Sequence, residues 1–209
     1  MVRVLLPGDN LLTRVARAVF ALTLAPACRL RTAGSVYLPP TGAALVAVNH
    51  KSDIDPIFVG LAFRRQLRYF AKAELFEHRA FGWAITELGA IRVRRGESDR
   101  GALEAALTCL AQGEALMVFP EGTRFPDDEI HAFQRGIGML AMRSHAPVIP
   151  VALRGSRDVS RRGRPRATRV RLEAGPPVDL SGLEGRRSAV YAEAAERIER
   201  DVRALYERL

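Results

Sequence analysis

Short apolar runs closed by polar clusters recur along this chain, and between them apolar residues repeat at helical spacing. Ala43 to Val48, Leu67 to Ala71, Gly89 to Val93, Ala115 to Phe119 and Pro147 to Leu153 read as strands. Pro150 inside the last run predicts an edge position or a bulge. Gly34 to Leu38 reads as another short strand, ahead of a Pro39-Pro40-Thr41-Gly42 turn. Helical spacing predicts helices over 10–30, 56–65 and 73–88, from a Ser98 or Asp99 cap to about Ala111, and over 134–144. Trp83 and the phenylalanines of 73–88 are expected in the core. The last helix is expected to start from a Ser181–Glu184 capping box. Its stripe is Val190, Ala194, Ile198, Val202 and Leu205, and Glu193–Arg197, Glu196–Arg200 and Glu199–Arg203 add pairs at i,i+4. Alternation of this kind predicts an α/β fold: a single domain with a mixed, largely parallel sheet flanked by helices, plus an N-terminal amphipathic helical segment.

The N-terminal segment divides the chain into 1–33 and 34–209. Leu11, Leu12, Val15, Val19 and Leu22 share a face, with Arg14 and Arg17 on a polar edge. The uncharged run from Ala18 to Cys28 is too short to span a bilayer. A core-packing helix and an interfacial helix both fit this pattern.

Charge narrows the choice of partners. The 209 residues carry a net charge of +9 and are 48% hydrophobic, enough for one sizeable core. Such a balance calls for an anionic partner. From Arg154 to Arg171 inclusive there are eight arginines and one acid, Asp158; much of this is expected to be a solvated loop ending in a strand, with Val170 and Leu172 inward. No aromatic residues interleave with the basic ones, so nucleic acid is not the expected partner. Cys28 and Cys109 are isolated, with neither metal nor redox spacing, which fits a reducing compartment.

Candidate chemistry sits where strands end. Asn49, His50 and Asp55 follow the first long run; Lys72, Arg94 and Arg95, and Glu121-Gly122-Thr123-Arg124 follow the next three. Lys51 and Lys72 are the only lysines, and both fall at such exits. In parallel sheets ligands collect at the carboxyl ends of strands. Five residues apart across a turn, Asp55 can hold one imidazole nitrogen of His50 and leave the other free as a base. Asp55 before Pro56, or Ser52, can equally be a helix cap. Taken together the exits supply a base, a carboxylate and fixed cations suited to a phosphate, with Gly122 letting backbone N–H groups approach an anion.

Four blocks then resemble the glycerolipid acyltransferases, particularly 1-acylglycerol-3-phosphate acyltransferases. They are Asn49-His50-x-Ser52-x-x-Asp55, Gly89-x-Ile91-x-Val93-x-Arg95, Phe119-Pro120-Glu121-Gly122-Thr123-Arg124 and Pro147-Val148-Ile149-Pro150-Val151. Lys72-Ala73-Glu74-Leu75-Phe76, Phe81-Gly82 and Phe133-x-x-Gly136 are similar to further family positions. The resemblance implies transfer of an acyl group from a CoA or acyl-carrier-protein thioester to the hydroxyl of a lysophosphatidate-like acceptor. It implies His50 as general base, Asp55 as its orienting carboxylate, and Lys72, Arg95, Glu121, Gly122, Thr123 and Arg124 at the acceptor's phosphate. Asn49, Ser52 and Pro150 support, and no metal or cofactor is expected. The partners expected with it are an anionic membrane surface, the lysophospholipid acceptor and the acyl donor, at the cytoplasmic face of the cell membrane as a peripheral protein. Arg92, Arg94 and Phe125 depart from the family pattern and leave the acceptor open. Another lysolipid acceptor, a hydrolase in which His50 activates water, and a non-enzymatic basic binding module are the alternatives.

Overall fold

The computed structural model describes residues 10–63, 65–93, 99–159 and 168–209. Among the described residues seven strands form one sheet: β1 (Arg31–Ala33), β2 (Ala44–Val48), β3 (Leu67–Lys72), β4 (Ala90–Val93), β5 (Ala115–Val118), β6 (Val148–Arg154) and β7 (Arg171–Ala174). Their order is β1-β7-β6-β2-β5-β3-β4, and β6–β7 is the antiparallel pair. The helices are α1 (Leu11–Leu22), α2 (Leu24–Ala27), α3 (Asp55–Ala62), α4 (Arg79–Glu87), α5 (Asp99–Ala111), α6 (Arg135–Ser144) and α7 (Arg187–Glu207).

β2 is central and buried at all five positions, which is why it reads as an unbroken apolar run. Leu45 and Ala47 face a core shared with α5, α6 and α7. Ala44, Val46 and Val48 face the other core, with Phe58, Val59, Ala62 and Phe63 of the α3 region. The sheet is thus covered on both sides, as an α/β protein requires. Gly138 lets α6 and α7 touch: a Cβ there would stand 2.0 Å from the Tyr191 carbonyl oxygen.

Several expectations change. Pro150 lies in an interior strand, not at an edge. Its carbonyl accepts from Gly175 N–H just past the end of β7, so the nitrogen that lacks a hydrogen faces the same side and costs β2 no bond. Gly34 to Leu38 holds a 3-10 turn (Ser35–Tyr37); the strand lies earlier, at Arg31–Ala33, and pairs with β7 although it falls within the expected N-terminal segment. Residues 73–88 break into a 3-10 turn (Ala73–Phe76) and α4. Trp83 and Phe81 are 61% and 50% exposed rather than core. Ser181 hydrogen-bonds Asp179 instead of capping, and α7 begins six residues later with no side-chain cap. Of the three i,i+4 pairs, Glu193–Arg197 and Glu199–Arg203 form, while Arg200 lies nearest Asp201, at 3.7 Å.

α1 docks by its polar side. Asn10 caps the helix and bonds Glu87; Thr13 bonds the Glu87 carbonyl. Arg17, expected at a polar edge, is buried and donates to the carbonyls of Gly60 and Phe63 near the end of α3. Leu11, Val15, Val19 and Leu22 consequently face out, each half exposed or more. Among the described residues no helix is long and apolar enough to cross a membrane.

Candidate active site

The sheet order places β2, β5, β3 and β4 side by side and parallel, so their four exits line one edge. Asn49 is the first residue past β2. Its side chain accepts from Leu153 N–H (2.8 Å) and donates to the Leu153 carbonyl (2.9 Å), extending the β2–β6 ladder beyond its last backbone pair. His50 N–H then donates to Glu121 Oε1 at 2.7 Å, tying the exit of β2 to that of β5.

Asp55 opens α3, where a negative charge is favoured by the helix dipole, and Pro56 follows it in the first turn. Fully buried, its Oδ2 accepts from Lys51 N–H (2.6 Å) and Ser52 N–H (2.8 Å) and lies 2.9 Å from His50 Nδ1. Two fixed backbone donors set the carboxylate, and the carboxylate sets the imidazole. His50 also stacks on Phe119, with ring centroids 4.1 Å apart. With Nδ1 held by Asp55, Nε2 is the free nitrogen. The ring shares a pocket of about 340 Å³ with Lys51, Thr123, Arg124, Phe125 and Pro126.

The remaining candidates separate into two groups. Thr123 and Arg124 line the pocket and are exposed; Arg124 Nη1 pairs with the exposed Asp53 carboxylate, a weak surface bridge that a phosphate can displace. Lys72 stands exposed at the exit of β3, without an ion pair among the described residues. Arg95 and Arg94 lie outside the described residues. Glu121, in contrast, is buried, with Oε2 accepting from His131 N–H at 3.1 Å. Both its oxygens hold backbone, so it braces the site rather than meeting a phosphate. Gly122 donates its N–H to the Phe119 carbonyl and has φ +72°, a conformation that the turn leaves to glycine. Lys51 is buried, with Nζ on the Glu129 carbonyl and 3.9 Å from Glu121 Oε2. Ser52 is also buried and is not the cap of α3. Pro150 lies on the β2–β6 pair, opposite Ala47.

Three features were not read from the sequence. Phe119 as the platform under His50 depends on how two strands end, which no spacing records. His131 stacks on Phe125 (3.5 Å) and its Nε2 lies 2.9 Å from Asp127 Oδ1; these bonds hold the Asp127 carboxyl below its usual range, chiefly through the imidazole. Only the i,i+4 spacing of Asp127 and His131 hinted at that pair. Third, an apolar cavity of about 110 Å³ lies between α1 and α3, lined by Ala16, Phe20, Pro56, Ile57, Leu61 and Met117 among others. It begins one residue after Asp55. Neither cysteine belongs to the site: both are buried, burial pushes each thiol up, and Cys109 reaches about 12.

Comparison with known proteins follows this geometry. A family model described as Acyltransferase matches residues 29–154, more than half of the chain. The mouse 1-acyl-sn-glycerol-3-phosphate acyltransferase alpha is 31% identical over 161 residues, covering 74% of this chain and 56% of its own length. The 1-acyl-sn-glycerol-3-phosphate acyltransferase of Streptococcus pneumoniae is 26% identical over 165 residues, covering 78% of this chain and 60% of that protein. The chain thus spans little more than half the length of these relatives. The crystal structure of the 1-acyl-sn-glycerophosphate (LPA) acyltransferase PlsC from Thermotoga maritima superposes with a TM-score of 0.70 at 28% identity, over 91% of this chain and 76% of that one. The matched span runs from the start of β1 to the end of β6 and contains His50, Asp55 and the Glu121–Arg124 turn, and on that evidence the chain belongs to the acyltransferase family.

Proposed function

We propose that the chain transfers a fatty acyl group from a CoA or acyl-carrier-protein thioester to the free hydroxyl of a lysophosphatidate-like acceptor, in phospholipid synthesis. The observation that carries this reading is the His50–Asp55 pair, with Nε2 open to a pocket that also holds Arg124. His50 Nε2 takes the proton of the acceptor hydroxyl as its oxygen attacks the thioester carbonyl. The thiolate leaves, and the proton passes to it from the imidazolium. Transfer is direct in this reading: neither cysteine lines the pocket at His50, and both are buried. Arg124 and Thr123, with Lys72 and Arg95 from the neighbouring exits, bind the acceptor's phosphate. A proton-transfer group of this kind contributes roughly a hundred- to ten-thousand-fold; holding the hydroxyl against the thioester contributes much of the remainder. The apolar cavity that begins beside Asp55 seats part of an acyl chain.

The protein works at a membrane surface. α1 turns Leu11, Val15, Val19 and Leu22 outward, and the net charge of +9 favours an anionic bilayer. Two free, buried cysteines accord with a reducing compartment, and so with the cytoplasmic face.

The test is thioester consumption with CoA and carrier-protein donors against lysophosphatidate, other lysophospholipids and glycerol 3-phosphate. Turnover requiring lysophosphatidate and lost in His50→Ala is expected. Fatty-acid release without an acceptor would identify a hydrolase instead, and full activity in His50→Ala would overturn the mechanism.

A further inference from the structure

A second concentration of positive charge lies across the sheet from His50. Among the described residues, Arg29, Arg31, Arg169 and Arg171 line a pocket of about 200 Å³. All four are exposed, and no ion pair is formed by Arg29, Arg31 or Arg169 among the described residues. Arg171 donates to the Leu209 main-chain oxygen, a neutralising partner for none of the others. The nearest acid on the same strand, Glu173, is taken by Arg208 at 3.0 Å. Four guanidinium groups around one space repel one another, and an anion between them removes that cost.

The fold builds this arrangement. β1 and β7 are parallel with Arg31 opposite Arg171, so two of the arginines are neighbours across strands. Val170 N–H bonds the Cys28 carbonyl and Arg31 N–H bonds the Val170 carbonyl, which brings Arg29 and Arg169 to the same place. Arg29 adopts φ +45° at the end of α2, a conformation usually left to glycine.

Topology also fixes which end of the sheet carries the cluster. β7 runs antiparallel to β6, and β6 parallel to β2. The starts of β1 and β7 therefore lie at the same end as the exit of β2, the catalytic edge. Three strand spacings separate β1 from β2, roughly 14 Å. β7 is two spacings away, and the described lining of this pocket shares no residue with the pocket at His50.

We propose that Arg29, Arg31, Arg169 and Arg171 form a phosphate-binding site separate from the catalytic one. Guanidinium forks match phosphate oxygens in pairs, and no carboxylate is among the described lining residues. The phosphate is the headgroup of an anionic lipid in the bilayer on which α1 lies: the chain passes from α1 through α2 directly into Arg29 and Arg31. This source of the phosphate rests on the membrane reading above; the site itself does not.

The experiment measures vesicle partitioning of the full chain, using phosphatidylcholine alone and phosphatidylcholine with phosphatidic acid. The variant is Arg31→Gln/Arg169→Gln, whose side chains make no bond among the described residues. The control is Arg186→Gln/Arg187→Gln, which removes the same charge from exposed positions at the start of α7. The gain in binding on adding phosphatidic acid should fall by tenfold or more in the first variant, with a charge-matched loss of a few-fold at most in the control. Equal losses in the two would overturn the site. Binding to phosphatidylcholine alone reads the α1 face, so its failure is seen separately. A melting temperature raised by inorganic phosphate in the wild type and not in the Arg31/Arg169 variant, with unchanged vesicle binding, would keep the phosphate site and overturn the lipid as its source.

Discussion

Asp55→Asn isolates the electrostatic part of the proposed mechanism, because the loop allows the amide one orientation. The Oδ2 position receives N–H donors from Lys51 and Ser52, so an amide nitrogen cannot sit there. The asparagine oxygen must occupy it, where it still accepts from His50 Nδ1. Ring orientation and tautomer survive; the negative charge is what disappears. Unit charges 4 Å apart attract by roughly 4 kcal/mol at an effective dielectric of 20. Proton transfer that is half complete in the transition state uses about half of that. A loss of about 2–4 kcal/mol is a fall in kcat/KM of roughly 30- to 1,000-fold. The amide nitrogen falls where Oδ1 now lies, buried and without a hydrogen-bond partner. That costs about 1–3 kcal/mol, partly offset by relief of a buried charge. Melting temperature is therefore expected to move by only a few degrees. Steady-state thioester kinetics should show the loss in kcat, KM for the acceptor within threefold of wild type, and a double variant with His50→Ala no worse than His50→Ala alone. Activity within threefold of wild type in Asp55→Asn, beside an inactive His50→Ala, would refute the argument and leave Asp55 as a staple of the loop.

Other consequences are as direct. Gly138→Ala forces a Cβ to 2.0 Å from the Tyr191 oxygen and should lower the melting temperature by about 3–10 °C, from an overpacking cost of about 1–3 kcal/mol; Gly136→Ala, with nothing within 4 Å, should be neutral or slightly stabilising. Cys109 should resist alkylation in the native protein at pH 8 and react on unfolding. Its thiol ionises near 9 when unfolded and at about 12 when folded, so the unfolded state loses its proton first. Stability tied to Cys109 is complete below pH 9 and is lost as pH rises towards 12; urea midpoints in Cys109→Ala should fall less over the accessible part of that range. Leu22→Asp, at a position 74% exposed, should leave the melting temperature unchanged and weaken partitioning onto phosphatidylcholine vesicles by about tenfold or more, by loss of roughly 1.5–3 kcal/mol of apolar burial.

The parts of this fold that were legible are those where one physical demand dominates. Central strands buried on both faces must be apolar throughout, so β2, β5 and β6 stand out, and the polar residues after them mark the edge that carries the candidate site. Where two demands compete, local pattern misleads. Pro150 looks like an edge residue because proline lacks a donor, yet its strand's neighbour ends just short of it. Arg17 looks like surface, but two carbonyls near the end of α3 accept its protons. Ser181 and Glu184 have capping spacing, but Asp179 takes the serine hydroxyl first. At the site, His50 and Asp55 are legible because one turn holds both. Glu121 is not, because its work is to reach a backbone 71 residues earlier, and sequence distance conceals that.

The docking of α1 has a consequence for the protein away from lipid. A helix that packs by its apolar side can hide that side in water and must let go to enter a bilayer. Here the polar side is already spent on Glu87, Gly60 and Phe63, so the apolar side has nowhere to fold back. In buffer the molecule is expected to behave as a surfactant with a rigid headgroup, adsorbing to air–water interfaces and pairing stripe to stripe as concentration rises, which light scattering against concentration would show. Mild detergent should restore monomers without altering the secondary structure, and purification is better designed around that than around added salt.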